Sequence, residues 1–205
     1  MMAMHGTAPE ATPGDPDPAE TVQVWDLPLR VWHWLLAVLV LVAWVTPNVH
    51  DRLHRLAGYA VLGLLAFRLI WGLIGTRHSR FRSLGVRLRA MPAYFWNLRH
   101  GRTGRYLGLN PAGTAMQLAL LFTLIVSAVT GAMQVTVRFF GVWWVEDTHA
   151  YLSDAVIVLV VVHVAGVVMV SRLQRENLAR AMITGRKRLR QVRAAIAAHR
   201  PDTTD

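Results

Sequence analysis

The sequence has no cysteine and few acidic residues. Without thiols the chain cannot hold a disulfide, an iron–sulfur cluster, a cysteine-bound zinc ion or a thioether-linked prosthetic group. Asp and Glu number 12 against 22 Lys and Arg, which gives a formal net charge of +10. A basic polar domain would suit nucleic acid, but 54% of these residues are hydrophobic and the basic ones flank long apolar runs. This pattern is typical of a membrane protein and predicts no nucleic-acid partner.

Four apolar segments are long enough to cross a membrane, which takes about 20 residues. The first has an N-cap signal, Asp26 followed by Pro28. Short outer connections predict an all-α fold, an integral membrane four-helix bundle with up-down-up-down topology. The predicted spans lie within a membrane domain, residues 22–174, at about 27–47, 54–75, 113–136 and 149–171.

Both ends of the chain are expected to lie outside this bundle. Residues 1–21 are rich in Pro, Asp and Thr and have too little apolar surface to fold, so we predict a disordered tail rather than a signal peptide. Residues 175–205 form a basic tail in which apolar and basic residues alternate at a helical period up to Ala198. We predict that this tail forms an amphipathic helix on a lipid surface. We predict the same for residues 90–99, between the second and third spans.

The basic residues are concentrated on one side of the predicted membrane. Eight arginines lie between the second and third spans and nine Lys or Arg follow Ser171, together 17 of the 22. The other two connections contain only Arg52, Arg55 and Arg138. The positive-inside rule therefore places the loop 76–112 and both termini in the cytoplasm.

Four of the nine histidines lie in or at the edges of spans. The 14 residues from His149 to His163 cover about 21 Å and nearly whole turns, so both rings leave one face of the fourth helix. The predicted topology places His33 at the depth of His163, and we call these two residues the inner pair. It places His54 at the depth of His149, and we call these two the outer pair.

Two histidines in an apolar layer point to one kind of cofactor. Zinc or copper takes three or four protein ligands, and neither layer offers a third. The porphyrin of haem supplies four nitrogen ligands and leaves two axial positions. One imidazole from each of two facing helices therefore completes the coordination of the iron. Interhelical hydrogen bonds for the deeper histidines, and hydrated headgroup positions for the others, are the alternatives.

Other residues are candidates for contacts with this cofactor. Arg68 follows His54 by 14 residues and so reaches the inner layer, where a haem propionate would neutralise it; snorkelling to the surface is the alternative. His50 is a rival to His54 as an iron ligand, although it lies in a predicted loop. Small residues would let a flat ring approach the backbone, or would serve ordinary helix packing: Gly58, Gly63, Gly131 and Gly166.

Five fragments, in this order, resemble the bacterial cytochrome b561 family, which includes cytochrome b subunits of membrane nickel–iron hydrogenases. They are Val24 to Trp34, His54 to Tyr59, Phe67 to Gly72, Asn110 to Gly113, and His149 to Gly166. The resemblance implies two non-covalent haem b groups, with His33 and His163 on the iron of the inner haem. It implies that His54 and His149 bind the iron of the outer haem. It also implies the bacterial inner membrane.

The leading functional hypothesis is respiratory electron transfer. Electrons would pass between membrane quinone and a periplasmic redox protein, such as a c-type cytochrome or a dehydrogenase or hydrogenase subunit. One alternative is a stand-alone oxidoreductase that passes electrons from superoxide or another small reductant to quinone; whether the chain is a carrier or an enzyme stays open, and we predict no catalytic side chain. A second alternative is a haemless transporter or anchor with histidines as proton sites. A homodimer is also left open.

The predicted connection from Arg138 to Thr148 suggests where a periplasmic partner docks. Its aromatic residues are expected to form an interfacial belt. Its carboxylates, together with Asp51 in the other outer loop, would form an acidic collar that attracts a basic partner and weakens with salt. The residues concerned are Phe139, Phe140, Trp143 and Trp144, followed by Glu146 and Asp147.

Overall fold

The computed structural model describes residues 21–47, 49–74, 84–100, 109–174 and 177–188. Seven helices and two short strands follow one another in this part of the chain. They are β1 (Thr21–Gln23), α1 (Leu27–Val45), α2 (Asp51–Ile74), α3 (Leu84–Arg89), α4 (Met91–Arg99), α5 (Pro111–Gln134), α6 (Trp143–Gln174), α7 (Leu178–Thr184) and β2 (Arg186–Arg188). Four of them, α1, α2, α5 and α6, are long and apolar enough to cross a membrane. The predicted all-α membrane bundle is confirmed.

Side-chain caps begin two of the long helices. The Asp26 carboxylate accepts a hydrogen bond of 3.0 Å from the backbone N–H of Leu29, and Pro28 occupies the first turn of α1. Asn110 caps α5 in the same way, accepting from the Gly113 N–H at 2.6 Å, with Pro111 as the first helical residue. Both caps satisfy N–H groups that a helix start leaves without intrahelical partners.

The sixth helix begins earlier than the sequence predicts. It starts at Trp143, six residues before His149, so Trp143, Trp144, Glu146 and Asp147 belong to a helix and not to a loop. Assigning residues 143–148 to a connection was therefore wrong. Val145 lies in the first turn of α6 and is fully buried, so its packing holds this turn in place. Glu146 also lies in the first turn, where the positive end of the helix dipole favours an acidic side chain.

The chain after the last span is not one continuous helix. Helix α7 has only seven residues and ends at Gly185, which adopts a left-handed φ of +77° that terminates helices. Strand β2 then pairs antiparallel with β1, so the prediction of a helical tail was wrong for residues 186–188. Thr21 is part of β1 and not of a tail. The predicted tail residues 1–20 and 189–205, and five loop arginines (Arg77, Arg80, Arg82, Arg102 and Arg105), lie outside the described residues.

The two strands connect the start of the bundle to its end. The Gly185 carbonyl accepts hydrogen bonds from the backbone nitrogens of Val24, at 2.8 Å, and Trp25, at 3.2 Å. We call β1, β2 and these two bonds the terminal clasp. Because α1 follows β1 and α6 precedes α7, the clasp ties together the ends of the two helices that carry the inner pair.

Helix α4 confirms the helical spacing of residues 90–99 and is attached to α5. Tyr94 is buried, and its hydroxyl accepts a hydrogen bond of 2.9 Å from the side-chain amide of Asn110. Phe95 and Trp96, on the other hand, are exposed. The placement of this helix on a lipid surface stays a prediction.

The long helices pack in sequence order, α1 on α2, α2 on α5 and α5 on α6. Their shared core contains Leu36, Val61, Leu65, Leu124 and Val156. Val156 is seven residues from both His149 and His163, so the core lies midway between the two histidine layers. Since lipid is as apolar as these side chains, van der Waals packing holds this centre together.

Candidate cofactor site

The structure brings both predicted histidine pairs together. In the inner pair, His33 of α1 and His163 of α6 have ring centroids 6.4 Å apart with planes inclined by 54°. In the outer pair, His54 of α2 and His149 of α6 have centroids 6.1 Å apart at 81°. Helix α6 therefore contributes one histidine to each layer, and α1 and α2 contribute the partners. His50 lies just before α2, outside this arrangement.

Backbone carbonyls orient the outer pair. The Nδ1–H of His54 donates to the carbonyl of Ala43 at 2.8 Å, and the Nδ1–H of His149 donates to the carbonyl of Ser127 at 2.8 Å. A carbonyl only accepts, so the proton of each neutral ring lies on Nδ1. The Nε2 lone pair of each ring is left available, which is how histidines that bind metals are commonly held.

The inner pair is held differently. Nδ1 of His33 is buried and has no hydrogen-bond partner among the residues that the structure describes. The ring instead packs edge-on against Trp34, with centroids 5.3 Å apart. His33 is thus positioned by packing, whereas the outer pair is positioned by hydrogen bonds.

The separation of the paired rings fits a shared metal centre. A metal–nitrogen bond of about 2 Å on each side, plus about 1 Å from each nitrogen to its ring centre, amounts to about 6 Å. Within the described ranges there is no group of three or more His, Cys, Asp or Glu that would hold a bare metal ion. Each pair therefore offers two ligands, which suits a macrocycle that supplies the other four.

Space beside the helices is compatible with such a macrocycle. Among the described elements, neither α1 nor α2 packs extensively against α6. A Cβ built on Gly58, Gly63 or Gly166 would meet no protein atom within 4 Å, so tight helix packing does not explain these glycines. Gly131 is different, because a Cβ there would lie 2.8 Å from Cε1 of His149. The α5 backbone approaches this ring closely only because residue 131 lacks a side chain.

Arg68 is buried inside the protein, with 3% of its surface exposed, and does not snorkel to the surface. Its guanidinium lies 5.7 Å from the centre of the Trp32 ring and interacts electrostatically with Asp26. Asp26 is thus a carboxylate near Arg68 at a depth where the apolar spans predict none, and that prediction was wrong. Asp26 also accepts a hydrogen bond of 3.4 Å from the Trp71 indole. A propionate contact for Arg68 stays a proposal, but the arginine already has an anion nearby.

Three contributors to the site escape sequence reasoning. The carbonyls of Ala43 and Ser127 belong to residues whose side chains give no sign of this role. Thr130 is the third, because its hydroxyl donates to the Ser127 carbonyl at 3.0 Å and to the Val126 carbonyl at 2.8 Å. The sequence gives only one indication of these three contributors, which is that Thr130 is a polar residue inside an apolar span.

A four-helix membrane bundle with two histidine pairs, one at each end, is the architecture of a membrane b-type cytochrome. The sequence profile of prokaryotic cytochrome b561 matches residues 24–185, and the chain belongs to that family. A relative from Azotobacter vinelandii, a probable Ni/Fe-hydrogenase B-type cytochrome subunit, is 26% identical over 215 residues, covering 80% of this chain and 87% of the relative. The protein is thus a multi-pass membrane cytochrome of an electron-transfer family whose cofactor is haem b.

Proposed function

We propose that this protein is a di-haem cytochrome of the bacterial inner membrane that transfers electrons between a periplasmic redox partner and the quinone pool. The observation that carries the proposal is the presence of two histidine pairs at ligand-like separations, 6.4 and 6.1 Å, at opposite ends of one bundle. His33 and His163 would hold the iron of the inner haem, and His54 and His149 that of the outer haem. When bound, haem b supplies a one-electron redox centre at each end.

The protein's own residues favour electron transfer over chemistry at the iron. With two histidines at each site, a bound haem would have no ligand position left for a substrate. The apolar core around Leu65 and Val156 lies between the layers. Histidine pairs at this spacing also favour a cofactor over the separate proton sites of a transporter.

The charge distribution and the relative support the partners. The 17 basic residues on one side favour cytoplasmic termini, and in that orientation the outer pair would lie near the periplasm. The name of the A. vinelandii relative refers to a hydrogenase. We therefore propose a hydrogenase-type or other redox enzyme subunit as the partner, with quinone as the second reactant.

The first test is the amount of haem bound by the purified protein. Wild type is expected to contain two extractable haem b groups per chain, since no cysteine tethers them. His163→Ala is expected to lose the inner haem and largely retain the outer one, whereas the matched control His50→Ala retains both. One haem per chain, or no haem, would contradict the proposal. So would loss of a haem from His50→Ala.

Two further measurements test the orientation and the quinone. A reporter fused after Asp205 is expected to be cytoplasmic, and one inserted at Gly141, between α5 and α6, periplasmic. The reverse result would place the outer pair on the cytoplasmic side. Dithionite-reduced protein is expected to be reoxidised by an added soluble quinone under anaerobic conditions, and protein that stays reduced would remove quinone from the proposal.

A further inference from the structure

The two histidine pairs differ in how their Nδ1 atoms are used. Both outer histidines donate to a backbone carbonyl at 2.8 Å, whereas Nδ1 of His33 in the inner pair is buried without a hydrogen-bond partner in the described part of the chain. A hydrogen bond from Nδ1 makes an imidazole a more basic ligand. More basic axial ligands stabilise the oxidised state of an iron centre, and hydrogen bonding around the ligands is one means of tuning its potential.

The Ala43 carbonyl is available to His54 for a reason that the sequence explains. In an α-helix this carbonyl would accept from the N–H of the residue four positions later, which is Pro47. Proline has no N–H, and α1 ends at Val45. The uncommitted carbonyl at this helix end therefore accepts from the histidine on the neighbouring helix.

The Ser127 carbonyl is shared, in contrast. Within α5 this carbonyl is the helical acceptor for the N–H of Gly131, four residues later. It also accepts from His149 at 2.8 Å and from the hydroxyl of Thr130 at 3.0 Å, and that hydroxyl donates to the Val126 carbonyl at 2.8 Å as well. Donors that share one oxygen weaken each other, because each reduces the negative charge that the others meet. Thr130 therefore limits how strongly His149 is polarised.

Neighbouring charges do not reverse the difference in hydrogen bonding between the outer and the inner histidine pair. At the inner end Arg68 and Asp26 carry opposite charges and offset one another. At the outer end Arg55 and Asp51 form an exposed ion pair at 2.6 Å, and Glu146 and Asp147 are screened by water. The hydrogen bonds to the histidines are the asymmetry on which the inference rests.

We infer that the outer site has the lower reduction potential of the two, set by the hydrogen bonds of His54 and His149 to the carbonyls of Ala43 and Ser127, with Pro47 and Thr130 as the residues that adjust them. This inference rests on the proposed function, because it requires a haem at each pair. With haem bound at both pairs, this order of potentials would favour transfer of single electrons from the outer to the inner site, with the periplasmic partner as reductant and quinone as oxidant. The difference in potential offsets the work of moving an electron toward the negatively charged cytoplasmic side.

The test is an anaerobic spectroelectrochemical titration of the purified holoprotein and two variants. Pro47→Ala introduces an N–H that competes for the Ala43 carbonyl, so the lower of the two midpoint potentials is expected to rise. Thr130→Val removes a competing donor from the Ser127 carbonyl without changing the side-chain shape, so the same midpoint is expected to fall. The higher midpoint is expected to stay constant in both variants. A purely structural disturbance would not shift one midpoint in opposite directions.

Thr123→Val is the matched control, because it makes the same change two turns earlier on α5 and is expected to shift neither midpoint. Haem content is measured on every sample. Two haems with the higher midpoint moving, or with no midpoint moving, would overturn this inference and leave the proposed function intact. Absence of haem from wild type would overturn the proposed function as well. If one variant does not bind two haems, the other still tests the inference, because its midpoint shift is compared with that of Thr123→Val.

Discussion

Gly131 lies directly against His149, close enough that a Cβ at residue 131 would be 2.8 Å from Cε1 and 3.0 Å from Nδ1 of the ring. The same ring is held by its hydrogen bond to Ser127, one turn earlier on α5. The ring therefore has little freedom to move away from an added methyl group without losing that bond. The contact makes Gly131 a positioning residue for the outer pair.

We predict that Gly131→Ala displaces His149 and disturbs the outer site. Overpacking of this kind costs about 1–3 kcal/mol, so a lower midpoint of thermal unfolding is expected in detergent. The haem content and the low-spin electron paramagnetic resonance signal of the outer site are expected to fall, while those of the inner site persist. An unchanged outer signal in Gly131→Ala would refute the prediction.

The terminal clasp is predicted to support the inner pair. Gly185→Ala adds a Cβ that would lie 2.7 Å from the Trp25 carbonyl oxygen, at a φ of +77°. Left-handed backbone alone costs about 1–2 kcal/mol in a residue with a side chain. We expect faster proteolytic cleavage near residue 24 and faster loss of the inner haem to apomyoglobin, with the outer haem retained.

Gly141 provides the control for this variant. It has a similar left-handed φ of +71°, but a Cβ there meets nothing within 4 Å. Gly141→Ala therefore introduces the backbone strain without the clash and far from the clasp. Equal loss of the inner haem from both variants would show that the clasp does not support this site.

The charges of Arg68 and Asp26 are predicted to be coupled. Arg68→Leu removes the positive charge that interacts electrostatically with the Asp26 carboxylate, so a lower midpoint of thermal unfolding is expected. Asparagine also caps helices well, so Asp26→Asn removes the charge and keeps the cap of α1. We expect the double variant to be more stable to heat than Arg68→Leu alone. If the two effects are simply additive in a double-mutant cycle, the residues are not coupled.

The acidic residues at the start of α6 are predicted to guide the periplasmic partner. Reversing Glu146 and Asp147 to lysine is expected to slow electron exchange with that partner about tenfold at low salt, since charges at the edge of an interface mainly affect association. The effect is expected to diminish as salt is added. Haem content and reduction by dithionite are expected to stay the same.

Charge reversal at the other end of the molecule serves as the control for docking. Arg99→Glu changes an exposed residue of α4, on the side of the bundle that bears the inner pair, and is expected to leave the partner's rate unchanged. A rate and salt dependence that do not respond to the reversals at Glu146 and Asp147 would indicate that the partner docks elsewhere.

Much of this molecule can be predicted from local sequence patterns. Helix starts are set by residues next to each other in the chain, so the cap at Asp26 agrees with its sequence signal. The helical rise per residue is constant, so depth along a span follows from counting. This is why His33 and His163, and likewise His54 and His149, were expected in common layers, where the structure brings them together.

The remaining features depend on which turns of different helices face one another. No local pattern identifies the Ala43 and Ser127 carbonyls as histidine acceptors, the approach of Gly131 to His149, or the interaction of Arg68 with Asp26. The early start of α6 and the terminal clasp likewise rest on burial of Val145 and on pairing between residues more than 160 positions apart. Sequence by itself determined the helices and the depths of the histidines, because both follow from local geometry. Tertiary structure decided the hydrogen bonds and charges around them, because those depend on the register between helices.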